Sequence, residues 1–318
     1  MAEFSDVFCA APPYGRVAHL ASKQLHRGDL ITRSSNPRAR TLRALTAATV
    51  VAAGIIAAIP VAAQAAAVSV PCSETALVGA INTANAAPGS DTLNLAAGCT
   101  YQLTSSHDNA GNGPVGLPVI TSTMALVGTP NIITRSGLAL FRIAEVSSTG
   151  NLTLTRVTLD RGSTLGSGGG VLNRGAVTFT SAGSGLTNNT ALGTGGGLSN
   201  TDTPIGTAPA ATFTGSTVLG NIASGSGGGI YNGNRDALTM TSSVVTLNTS
   251  LLAQGGGISA NTSTTSLTST PVSSNTAILG AGGVLRLGGT MTTNTSPISA
   301  NLANNCVGSA PAVPNCTA

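Results

Sequence analysis

From residue 168 onward the chain repeatedly sets apolar residues at every second position. Ala176-Val177-Thr178-Phe179-Thr180, Ala211-Thr212-Phe213-Thr214 and Ala237-Leu238-Thr239-Met240-Thr241 each alternate an apolar residue with Thr, the period-two signature of a strand with one buried face. A helical period occurs upstream, over 72–84. There Ser73 suits an N-cap, Glu74 suits the first turn, and Ala76, Leu77, Ala80, Ile81 and Ala84 fall on one face. Strand-like pieces follow at 92–95, 118–120, 125–127, 138–143 and 152–159, with Gly and Pro between them.

Glycine supplies a second, longer period. Gly168-Gly169-Gly170-Val171, Gly195-Gly196-Gly197-Leu198, Gly227-Gly228-Gly229-Ile230, Gly255-Gly256-Gly257-Ile258 and Ala281-Gly282-Gly283-Val284 follow one another at similar steps. In phase with them runs an aliphatic residue three before an Asn: Leu186/Asn189, Val218/Asn221, Val245/Asn248, Val272/Asn275 and Ile298/Asn301. Two motifs at a fixed offset over five copies define a repeat.

A repeat of about 27 residues with three short strands and no helical pattern reads as one coil of a parallel β-helix, an all-β solenoid. Val177, Phe179, Leu186 and their equivalents are then expected to stack in the lumen. The central glycines Gly169, Gly196, Gly228, Gly256 and Gly282 mark corners, and Asn189, Asn221, Asn248, Asn275 and Asn301 are expected to form an amide ladder. The helix over 72–84 would cap the open end, because a bare terminal coil exposes lumen and strand edges.

The pairing of GG[GA][ILV] with [FILV]xxN resembles the repeats of polymorphic outer membrane proteins and the wider pectin-lyase-like superfamily of right-handed β-helices. It spans about 168–305, with aliphatic residues where that family has Phe and Gly where it has Ala in most triplets. The segment Cys72-Ser73-Glu74-Thr75-Ala76-Leu77, continuing to Gly89-Ser90-Asp91-Thr92, is similar to the capping start of secreted bacterial β-helix proteins. For the polymorphic membrane proteins the resemblance implies adhesion, and for the catalytic β-helices it implies cleavage of acidic polysaccharide. The C-terminal β-barrel of the former has no counterpart before Ala318.

Charge sharpens this picture. Only 8% of the 318 residues are charged and 3% are aromatic, so solubility must rest on Ser, Thr, Asn and backbone. Residues 1–65 carry seven basic side chains against three acidic ones, while 66–318 carry seven of each. The basic balance therefore belongs to the leader and gives no reason to expect nucleic acid. In that leader, basic residues through Arg43 precede a small apolar run over 44–63 and then Ala63-Gln64-Ala65, the order of a secretory signal. An uncleaved anchor is the rival reading, the run being about long enough to span a bilayer. The residues ahead of Arg38 fill no role in such a signal, which leaves an over-long start open.

Without the leader four cysteines remain. Three connectivities are allowed, and Cys72–Cys99 with Cys306–Cys316 is the economical one, each bridge stapling one end of the chain in an oxidising space. The expected organisation is a leader over 1–65, a cap with irregular first coils over 66–167, regular coils over 168–305 and a disulfide-closed tail over 306–318.

Catalytic chemistry has little to stand on. Asp160, Asp202 and Asp236 are the weak candidates for a carboxylate row, yet both steps between them are longer than any step between successive glycine triplets and so miss the repeat. Solvated turn residues are the plainer expectation. Asp160-Arg161 and Arg235-Asp236 read as surface pairs, and His107 with Asp108 as an exposed loop pair. The triplets lack the G-K-[ST] of a phosphate loop, and the cysteine spacings lack those of a metal site. No cofactor, metal, nucleotide or nucleic acid is expected. The expected protein is a monomeric, secreted or cell-surface, bacterial, non-catalytic β-helix presenting a neutral Thr/Asn/Ser-rich surface for adhesion or for glycan or cell-wall binding. A polysaccharide lyase or glycoside hydrolase is the alternative. Ice binding is an outsider: it requires T-x-T columns in register, and along the sequence the Thr positions shift between coils.

Overall fold

A computed structural model describes residues 67–201 and 208–317; the leader, with its signal-like run and Cys9, and Asp202 lie outside them. The described chain is an all-β parallel solenoid of about eight turns with one helix. Each regular coil contributes a strand to each of four columns. Within every column neighbouring strands pair in parallel, coil upon coil.

The first column holds Ala176–Thr180, Ala210–Thr214, Ala237–Thr241, Thr264–Thr268 and Thr290–Asn294, and it continues upstream through Asn151–Asp160, Thr123–Arg135, Ser90–Leu95 and Ala67–Val70. The second holds Gly185–Thr187, Thr217–Leu219, Val244–Thr246, Val272–Ser273 and Ile298–Ser299. In the two coils before residue 168 one long strand serves both columns, and the register shifts between Val127 and Asn131 where it bends. Short strands such as Thr190–Ala191 form the third column, and strands such as Leu198–Asn200 the fourth.

Alternation decides what is buried. Leu154, Phe179, Phe213, Met240 and Leu267 follow one another in register inside the first column, as do Leu159, Leu186, Val218, Val245 and Val272 inside the second. All ten are fully buried. Phe179 and Phe213 stack with ring centroids 4.7 Å apart and planes 5° from parallel.

Polar ladders close three of the corners. Between the second and third columns, Asn189 Nδ2 donates to Asn221 Oδ1 at 2.9 Å, Asn221 to Asn248 at 2.9 Å, Asn248 to Asn275 at 2.9 Å and Asn275 to Asn301 at 3.0 Å. The backbone N–H of each donates to the same oxygen of the next. The other Nδ2 proton reaches a carbonyl of the coil before, as Asn248 does at Val218 O. A second ladder runs from Asn173 to Asn200 to Asn232 beside the fourth column. A third runs between the first two columns, where the backbone N–H of Ser216, Ser243 and Thr270 each donates to the side-chain hydroxyl one coil on, of Ser243, Thr270 and Ser296 in turn.

The glycine triplets form the facing corner. Gly195 has a φ of +65°, a conformation that costs L side chains. A Cβ on Gly196 would strike the carbonyl oxygen of Gly228 one coil on, and one on Gly197 would lie 3.1 Å from the Asn221 carboxamide. The two motifs therefore run in phase because they touch across the lumen.

Both ends are covered. The helix Glu74–Ala86, with Ser73 Oγ accepting from the Ala76 N–H at 3.2 Å, buries Leu77, Ile81 and Ala84 on the first coil, and Cys72–Cys99 ties its start to that coil. At the other end Asn305 accepts from Asn301 and so prolongs the ladder into a tail stapled by Cys306–Cys316. Two substitutions test the lumen and the ladder. Val245→Asp buries an unpaired carboxylate and is expected to cost several kcal/mol. Asn248→Ala strands the buried Asn221 N–H and is expected to cost about 2 kcal/mol or more. Thermal and denaturant unfolding of the purified chain measures both; unchanged stability in either removes that element of the account.

Candidate binding face

The outward side of the first column is the most regular surface on the molecule. β-Branched Thr suits a pleated strand, and here it recurs at the same register in successive coils. Thr153, Thr178, Thr212, Thr239, Ser266 and Thr292 pair in one row, and Thr155, Thr180, Thr214, Thr241, Thr268 and Asn294 pair in the next. A third row beside them holds Asn151, Ala176, Ala210, Ala237, Thr264 and Thr290. All are exposed or half-exposed, and none is charged or aromatic. Along the outermost row Thr155 Oγ1 lies 3.0 Å from Thr180 Oγ1, and in the middle row Thr292 Oγ1 donates to Ser266 Oγ at 3.1 Å.

This corrects the expectation that the Thr positions shift between coils. Their sequence separations do vary, the step from Thr178 to Thr212 being longer than those from Thr153 to Thr178 and from Thr212 to Thr239. The extra residues fall in sequence between Asn200 and Ala210, and the Asn173 to Asn200 and Asn200 to Asn232 hydrogen bonds hold the register of the coils on either side.

Of the candidate carboxylates, the two described ones, Asp160 and Asp236, do not share a row. Asp160 lies on the outward side of the second column, paired with Thr134 and Thr187. Its Oδ1 accepts from Thr187 Oγ1 at 2.8 Å and Asn188 Nδ2 at 3.0 Å, and its Oδ2 from Thr134 Oγ1 at 3.0 Å. Arg161 Nε stands 3.5 Å away on a side chain 70% exposed. Asp236 is fully buried at the corner leading into Ala237–Thr241, on a different side of the coil, so it is not a solvated turn residue. Asp160 edges a polar recess of about 400 Å³ lined by Gln102, Thr134, Arg135 and Arg161 among others, with its own oxygens already engaged. Among the described residues no group of three or more His, Cys, Asp or Glu side chains is placed to hold a metal ion.

Two ionic clusters carry no repeat signal and were not legible in the sequence. Arg142 and Glu145 are both fully buried, with Nη1 and Oε2 3.2 Å apart, and Glu145 Oε1 also accepts from Arg174 Nη2 at 2.6 Å and Asn112 Nδ2 at 2.8 Å. Burial pulls the Arg142 guanidinium below its usual pKa; Glu145 opposes this and Arg174 adds to it. Arg142 also donates to the Asn112, Gly113 and Ser167 carbonyls, so the cluster clasps an upstream loop onto the solenoid. His107, expected beside Asp108, instead meets Glu74 on the capping helix at 2.8 Å. Asp108 turns to the Val119 and Asn109 N–H groups.

No protein-family model, curated protein or solved structure matches this chain. Among the described residues no helix is long and apolar enough to cross a membrane, and the two disulfides fit an oxidising compartment.

The cap contact predicts an acid response. Burial alone would raise the Glu74 pKa, but hydrogen bonds from His107, from the Thr104 side chain and backbone and from Ser105 outweigh it and hold the carboxyl below its ordinary 4.5. A carboxyl lowered by folding stabilises fully above its unfolded pKa and loses that contribution as the pH falls through the folded value. The stability gap between the natural chain and Glu74→Gln is therefore expected to narrow between pH 7 and pH 3. Thermal unfolding at the two pH values measures it, and a constant gap would show that the Glu74 link adds nothing.

Proposed function

We propose that this chain is an exported, non-catalytic bacterial β-helix that binds a neutral, repeating surface outside the cell, such as a cell-wall glycan, through the face of the first column. The observation that carries this reading is the pair of uncharged Thr-rich rows held in register over six coils. A periodic surface is matched best by a periodic ligand, because each coil repeats the same small contact and weak contacts add along the row. Kinship with the pectin-lyase-like β-helices rests on the GG[GA][ILV] and [FILV]xxN repeats. Export rests on the signal-like order of the leader and on the two disulfides.

The enzymatic reading has one observation in its favour, the recess beside Asp160. Glycoside hydrolysis calls for two carboxylates, whereas the recess is lined by Arg135 and Arg161 and has Asp160 only at its edge, bonded to Thr134. Binding without turnover is therefore the expected result. The purified chain is expected to sediment with insoluble neutral polymers and to release no reducing ends or unsaturated products from acidic or neutral polysaccharides. Product release that Asp160→Asn abolishes would overturn the reading.

A further inference from the structure

We propose that the repeating surface recognised by the first column is ice. The inference rests on the surface-binding reading and names its ligand. Three properties of the face lead to it.

The first is spacing. Neighbouring strands of a parallel sheet lie about 4.8 Å apart, and residues two apart on one strand about 6.6 Å apart. The rows Thr153 to Thr292 and Thr155 to Asn294 therefore set hydroxyls on a two-dimensional net, with six positions along the axis and both repeats fixed by backbone pairing. These repeats are close to the oxygen repeats on low-index faces of hexagonal ice. A solid whose own lattice is made of water oxygens can meet such a net at every node.

The second is chemistry. Each Thr offers a hydroxyl that hydrogen-bonds a lattice water and a methyl that orders water beside it without competing for protons. The third row adds Ala176, Ala210 and Ala237, which keep that side low. No charged group stands among the eighteen positions to hold a hydration shell incompatible with a lattice. Sugar rings, by contrast, are commonly gripped by aromatic side chains that pack against the ring, and the face has none.

The third is rigidity. Thr is stiff about χ1, and its strands are fixed by the corner ladders on both sides: Asn173 to Asn200 to Asn232 on one, Ser216 to Ser243 to Thr270 on the other. Little ordering is left to be done on contact, which favours binding to a rigid surface.

Thermal hysteresis, inhibition of ice recrystallisation and uptake into a slowly grown ice hemisphere test the proposal on the purified chain. Thr212→Tyr raises a ring in the centre of the face, and Thr246→Tyr raises the same ring on the second column; unfolding curves establish that both variants are folded. The natural chain is expected to be taken up by ice, Thr212→Tyr to lose roughly tenfold of the recrystallisation activity, and Thr246→Tyr to keep it. If the natural chain leaves ice untouched yet sediments with crystalline cellulose or chitin, and Thr212→Tyr weakens that, the ice inference falls and the surface-binding reading stands. If it binds neither ice nor polymer, both fall. Equal losses in the two Tyr variants would remove the first column as the site.

Discussion

A carboxamide brought into a protein interior must find partners for two N–H groups and an oxygen, and at Asn189, Asn221, Asn248, Asn275 and Asn301 it finds them in the next copy of itself. That requirement fixes the rise from coil to coil, and the remaining parts follow. The lumen stacks because the coils cannot slip. The triplet glycines are needed because the ladder and the adjacent backbone leave no room for a Cβ at Gly196 or Gly197. Satisfied polar chains of this kind strengthen one another, so corners made of Asn and Ser serve as structural members of the regular coils.

The same arrangement explains how so weakly charged a chain presents a defined surface. With register set inside, the outside is free to be uniform, and rows of Thr, Ser, Ala and Asn can run the length of the regular coils. The ionic groups lie apart from it. Arg142, Glu145 and Arg174 clasp the loop around Asn112 in the early coils, and Glu74 with His107 ties the cap. The described ion-pair clusters gather at the irregular end, and amide and hydroxyl ladders run through the regular coils.

The solenoid, the capping helix and the lumen residues were readable in the sequence because burial and turn chemistry recur there: an aliphatic residue three before an Asn, three glycines, a Ser before Glu74. The two end disulfides adopt the economical pairing, one of three connectivities the cysteine positions left open. The face was harder. Counting along the chain from Thr178 to Thr212 gives the wrong offset, since spatial register is set by the strand pairing and the corner hydrogen bonds rather than by the number of residues between them. The buried Arg142 cluster left no trace because its members join distant segments through single contacts with no period. Asp236 looked like a solvated turn residue, and only the packing of its corner shows it enclosed.

The step from Thr178 to Thr212 shows what the architecture tolerates. It is longer than its neighbours in sequence, yet Thr178, Thr212 and Thr239 still pair in one register. A genetic duplication of one repeat that keeps one Asn and one glycine triplet adds a complete rung, lumen and face together, whereas a deletion of the same length removes one cleanly. Length in such a chain changes in whole steps, so lineages can lengthen or shorten the outer rows by unequal recombination without reinventing the contact they make.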